Sequence, residues 1–128
     1  MELMMSEQPL IQVEAAPTFT KNLRNLAKKY RIVRNDIQPL IEQLQRGELP
    51  GDRISGTGYD VFKVRVRNSD IQKGKSGGYR LIYYVKTENG ITLLTVYTKS
   101  VQADIPAEAI TGIILEYERF AGENEEDA

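Results

Sequence analysis

Six cations stand between residues 63 and 80: Lys63, Arg65, Arg67, Lys73, Lys75 and Arg80, with Asp70 the one acid among them. Cations at that density suit the binding of phosphate, and the stabilisation of charge that builds on phosphate during its displacement. Lys63, Arg65 and Arg67 alternate with Phe62, Val64 and Val66, the period-two pattern of a strand with one buried face. Neighbouring like charges repel, so an unrelieved row of three predicts an anion that neutralises it. Tyr79 to Val85 is β-branched and aromatic enough to be the next strand. There Arg80, Ile82 and Tyr84 share one face, and Tyr79, Leu81, Tyr83 and Val85 the other. Tyr83 therefore reads as core, and Tyr84, beside Arg80, as the better candidate to touch a ligand. Tyr97 and Lys99 end a third strand and join the set of candidate residues, Tyr97 with a competing reading as packing.

What is missing narrows the chemistry. The 128 residues contain no histidine and no cysteine, which removes the commonest general base, thiolate catalysis, disulfides and the usual soft metal ligands. Arginine stays protonated, so Arg80, Arg65 and Arg67 can position and stabilise but cannot carry a proton. A lysine crowded by like charges, Lys63 or Lys99, is a conceivable proton carrier, as is Tyr84 or Tyr97 if its environment favours the anion. Gly74-Lys75-Ser76 resembles the end of a phosphate loop, but Ser69 stands where the leading glycine is needed, and a strand follows instead of a helix. Gly77-Gly78 then reads as a tight turn with positive φ.

The formal net charge of −1 conceals segregation: residues 18–115 hold sixteen bases against nine acids, a net +7, and both ends are acidic. A basic body suits a polyanionic partner. No apolar run approaches the roughly 18 residues of a membrane span, and the N-terminus lacks the basic start of a secretory signal. A cytoplasmic protein is expected.

The elements that must position these residues follow in order. Pro9–Val13 reads as a short strand. A helix opens at Pro17, capped by Thr18 or Thr20, with Phe19, Leu23 and Leu26 on one side. A second runs over 32–46, with Val33, Ile37, Leu40, Ile41 and Leu44 at helical spacing; Pro39 bends it or delays its start, and Gly47 stops it. Residues 48–58 are loop with a short strand at Arg53-Ile54. Asn89-Gly90 turns the chain into a strand over 91–99, apolar on both faces. Asp104 caps a last helix from Pro106 to Tyr117, with Ile110, Ile113 and Ile114 inward. The expected fold is α+β in one domain over 1–128: an N-terminal helical hairpin on an antiparallel sheet of three to five strands, then a C-terminal helix, with 1–8 and 121–128 disordered ends.

Val-Phe-Lys-Val-Arg-Val (61–66), Lys-Ser-Gly-Gly-Tyr-Arg-Leu-Ile-Tyr-Tyr (75–84) and Leu-Leu-Thr-Val-Tyr-Thr-Lys (93–99) resemble the RelE/ParE toxin superfamily, most closely its RelE/HigB-type ribosome-dependent mRNA endonucleases, over roughly residues 10–117. The resemblance implies a type II toxin–antitoxin toxin that inhibits translation by cutting mRNA through the RNA's own 2′-hydroxyl. Arg80 matches the family's central arginine at the scissile phosphate. Lys63 and Arg65 match basic residues on the preceding strand, and Tyr97 and Lys99 lie where further substrate-contacting groups sit. Arg67, Lys73 and Lys75 would add RNA-binding charge. Ser100 and Pro106 stand where RelE has an arginine and a tyrosine, so the acid and base stay unassigned. The implied partners are a cognate antitoxin, the ribosome and mRNA, with operator DNA reached only through the antitoxin, no membrane, no cofactor and no metal. The alternative is a ParE-like topoisomerase inhibitor or an inert antitoxin-binding scaffold.

Overall fold

The computed structural model describes residues 10–70, 78–99 and 104–127, with Phe120 and residues 122–127 described by backbone alone. The chain runs β1 (Gln12–Ala15), α1 (Pro17–Lys29), α2 (Val33–Gln45), β2 (Asp52–Arg53), β3 (Val61–Val66), β4 (Tyr79–Thr87), β5 (Gly90–Thr98) and α3 (Ala107–Asp127). One five-stranded sheet has the order β1-β5-β4-β3-β2. Pairing is antiparallel from β5 to β2, while β1 joins β5 in parallel, so the sheet is mixed where an antiparallel one was expected. That pairing links the start of the chain to a strand about eighty residues away, a register that no local pattern encodes.

Both faces of the sheet are covered, which is why β5 carries apolar side chains on both. On one face α1 and α2 contribute Phe19, Tyr30, Val33, Ile37, Leu40 and Leu44 to a core with Leu81, Tyr83, Leu93 and Val96. Phe62 stacks on Tyr83 at 5.3 Å, and Tyr30 meets Tyr79 edge-on at 5.7 Å. On the other face Ile110, Ile114 and Tyr117 of α3 pack on Val61, Ile82, Tyr84, Leu94 and Tyr97. The helix covers one end of this face and leaves the ends of β3 and β4 that carry Arg65 and Arg80 to a cleft.

Several ends differ from the sequence expectation for local reasons. α1 is entered through extended Ala16 with Pro17 in the first turn, and no threonine side chain caps it; proline's fixed φ suits that position. α2 begins at Val33 and runs through Pro39, so the proline does not delay it. Gly47, with φ 91°, follows its end, a left-handed position that glycine adopts at little cost. α3 starts with Ile110 donating to the Pro106 carbonyl at 3.2 Å; Asp104, expected as its cap, stands before this turn and faces the cleft. The α3 backbone continues to Asp127, past Tyr117 and through residues expected to be disordered; Glu and Ala are good helix formers. The expected disordered end at 1–8 lies outside the described residues.

Candidate phosphate-binding cleft

The strand register builds the cleft. Arg65 on β3 lies opposite Arg80 on β4, which lies opposite Tyr97 on β5. Two residues along, Lys63 faces Ile82 on one side and Asp52 of β2 on the other. Lys99, just past β5, and Asp104, on the connection to α3, close the open side. Gly51, Asp52, Lys63, Arg65, Arg80, Lys99 and Asp104 together line a cleft of about 510 Å³. Its charged groups are four cations and two acids, a formal excess of two positive charges.

Two glycines allow the strands to come this close. Gly51 has φ +98°, and a Cβ there would collide with the Lys63 carbonyl. Gly78 does not have the positive φ that the sequence suggested; its need is space, since a Cβ would strike the Val66 carbonyl. Gly77 lies outside the described residues. The chain leaving β3 is held to the start of α2: the Asp36 carboxylate accepts hydrogen bonds from Ser69 N at 2.9 Å and Ser69 Oγ at 2.6 Å, and Asp70 accepts one from Ile32 N at 3.3 Å.

Arg80 is on the predicted face but is buried, with 5% of its surface exposed. Its Nη1 donates to the Gly78 carbonyl at 3.1 Å, folding the guanidinium back along its own strand. No ion pair joins it to a carboxylate among the described residues. A buried guanidinium held without such a pair is an expensive arrangement and one suited to an incoming anion. Arg65 and Lys99 are exposed at the rim. Lys63 donates to Asp104 Oδ1 at 2.8 Å. That hydrogen bond, and then the Lys63 charge, hold the Asp104 carboxyl below its usual range, with Lys99 and Arg80 adding to the effect.

The Lys63 end of the cation row is therefore relieved by Asp104, and Asp52 stands opposite Lys63 in register, where the sequence suggested a row without acids. Asp52 sits on a two-residue strand, and Asp104 comes from 41 residues beyond Lys63. Neither had a periodic signal; the one clue was an acid next to Gly51, a residue type that permits close approach.

Tyr84 does not belong to the cleft. It is 6% exposed beneath α3, meets Tyr59 edge-on at 5.4 Å, and its hydroxyl donates to Glu118 at 3.0 Å. Burial, then the Glu118 hydrogen bond, push its pKa up to about 12. Alternation placed it correctly on the face of Arg80, but α3 covers that end of the face. Tyr97 is closer to the cations: Lys63 and Arg80 act on its phenol, yet burial outweighs them and raises its pKa. Its hydroxyl is buried and has no hydrogen-bond partner among the described residues. Both phenols are thus set as neutral groups, contrary to a role as proton acceptors. Arg67 is exposed past the end of β3 and does not line the cleft, while Lys73 and Lys75 lie outside the described residues.

Among the described residues no cluster of histidine, cysteine or carboxylate side chains could hold a metal ion, and no helix is long and apolar enough to cross a membrane. A double arginine-to-alanine mutant of the E. coli toxin RelE, solved in the free state, aligns with a TM-score of 0.51 and 21% identity, over 73% of this chain and 88% of that one. At that identity the likeness establishes the fold. The profile of the RelE toxin of the RelE/RelB toxin-antitoxin system matches residues 18–121, from α1 through most of α3, and the chain accordingly belongs to the RelE toxin family.

Proposed function

We propose that the protein is the toxin of a type II toxin–antitoxin pair and a ribosome-dependent endoribonuclease, cutting translated mRNA in the cytoplasm by attack of a 2′-hydroxyl on the adjacent phosphate. The observation that carries this reading is the buried Arg80, in no ion pair among the described residues, at the base of a cleft rimmed by Lys63, Arg65 and Lys99. A phosphate seated there would accept hydrogen bonds from Arg80, and its equatorial oxygens would gain negative charge as the pentacovalent state forms. Fixed cations stabilise that state more than the ground state, which lowers the barrier. Arg65 and Lys99 would hold the flanking backbone, with Arg67, Lys73 and Lys75 extending the RNA track. Folding the mRNA into the geometry for in-line attack falls to the ribosome, and alignment of that kind is worth several powers of ten in rate.

Expression of the chain alone is expected to arrest growth, with new mRNA 5′ ends mapping inside translated codons; co-expression of the neighbouring antitoxin is expected to restore growth. Arrest without mRNA cleavage would replace this reading with inhibition of a topoisomerase or another target. Absence of arrest would indicate an inert antitoxin-binding scaffold, a reading that the partial neutralisation of Lys63 by Asp104 also suits.

A further inference from the structure

The cleft has a group that the nuclease reading leaves without a task. Asp104 is an exposed carboxylate, with 72% of its side chain accessible, held at 2.8 Å by the Lys63 ammonium in the middle of a cationic cleft. A surface ion pair contributes little to stability, and an acid at a phosphate site weakens phosphate binding. At that place it is a basic group within the site itself.

We infer that Asp104 is the general base that takes the 2′-hydroxyl proton of the RNA, with Lys63 as the residue that positions it; this rests on the nuclease reading above. Among the described residues the groups facing Asp104 leave few alternatives. From β3 come Lys63 and Arg65, from β4 Arg80, from the end of β5 Tyr97 and Lys99, and from β2 Asp52. The guanidiniums cannot accept a proton, the Lys63 ammonium is engaged as a donor to Asp104 itself, and the Tyr97 phenol is kept neutral by burial. The carboxylates are what remains in basic form. Of the two, Asp104 is the one hydrogen-bonded to Lys63, and it shares the cleft with Arg80, where a phosphate would seat.

The step balances within the cleft. The 2′-O–H proton passes to an Asp104 oxygen as the 2′-O–P bond forms. The P–O5′ bond then breaks, and the departing 5′-oxygen takes a proton from the Lys99 ammonium. The products are a 2′,3′-cyclic phosphate and a 5′-hydroxyl, and solvent then removes the proton from Asp104 and returns one to Lys99. A carboxylate made less basic by Lys63 is a weak base, so cutting should be slow wherever RNA is not already aligned.

The test is the single-turnover rate of cutting ribosome-bound mRNA between pH 6 and 8.5, for the wild type, D104N and D104E. A carboxylate base is ionised throughout, so the wild-type rate should be flat, whereas an amine base would make it climb about tenfold per pH unit. D104N should lose a factor of about 10² or more and acquire such a climb as hydroxide takes over. D104E should recover part of the rate with a flat profile. An mRNA with sulfur as the bridging 5′ atom, whose thiolate leaves without a proton, should leave the D104N defect in place. Four results would overturn the assignment: a flat but slower D104N, rescue of D104N by the sulfur, the same behaviour in D52N instead, or D104N as fast as the wild type. Each of these leaves the nuclease reading standing. A wild type that cuts nothing on ribosomes removes both.

Discussion

Replacing Arg80 with alanine separates the two roles that its position allows. The side chain is 5% exposed, donates to the Gly78 carbonyl, and lies directly opposite Arg65. For stability, the loss of a hydrogen bond from a charged donor costs about 1.5–3 kcal/mol. Relief of the cross-strand repulsion with Arg65 offsets about 0.2–1 kcal/mol of that. The net, about 1–2 kcal/mol, should lower Tm by several degrees in a domain of this size. For activity, removal of one preorganised donor from a developing oxyanion costs a factor of about 10²–10³. R80A should therefore melt a few degrees lower by circular dichroism while its single-turnover cutting on ribosomes falls at least a hundredfold. R80K keeps the charge but loses the planar fork, and should fall between the two. A folded R80A with less than a tenfold loss would refute the role given to Arg80. A chain that no longer folds would make the residue a scaffold element and leave the cleft without its central cation.

Tyr84→Phe should keep wild-type cutting within about threefold and cost about 1 kcal/mol of stability, from the lost bond to Glu118; a large loss of activity would return Tyr84 to the site. Burial raises the pKa of Tyr79, Tyr83 and Tyr84, the last to about 12. Because these folded-state values exceed the ordinary one near 10, the associated stability is complete below about pH 10 and is lost as pH rises through about 12. Alkaline melts should show unfolding together with the 295 nm phenolate absorbance, and exposed-type titration without unfolding would contradict this. Gly51→Ala should destabilise by about 1–3 kcal/mol, since φ +98° and the Lys63 carbonyl both oppose a side chain; an unchanged Tm would argue against the tight β2–β3 approach. The association rate with an acidic antitoxin segment should fall as salt rises, because residues 18–115 carry a net +7, while the dissociation rate changes less.

The sheet could be read from the sequence wherever a side-chain period reports on a buried face. Lys63 and Arg65 on one side of β3, with Phe62 and Val64 on the other, follow from alternation alone, and so does Arg80 beside them. The stripe Ile110, Ile114 and Tyr117 similarly revealed an apolar helix. What alternation does not contain is where that helix docks. Tyr84 and Arg80 share a face, yet α3 seals the first and leaves the second at a cleft. Long-range pairings were equally hidden: Asp104 to Lys63 spans 41 residues, and β1 finds its parallel place beside β5 only in three dimensions. Gly78 shows a subtler limit, because its sequence context suggested a turn while the reason for it is the neighbouring Val66 carbonyl.

On the proposed function, this cleft cuts RNA only when the ribosome presents it. Purified toxin should be added to a reconstituted translation system with an end-labelled mRNA, and separately to the same mRNA without ribosomes. Fragments with 5′-hydroxyl and 2′,3′-cyclic phosphate ends are expected in the first reaction, and cutting slower by orders of magnitude in the second. Equal cutting in both, or intact mRNA on ribosomes that a known endonuclease still cleaves, would contradict it.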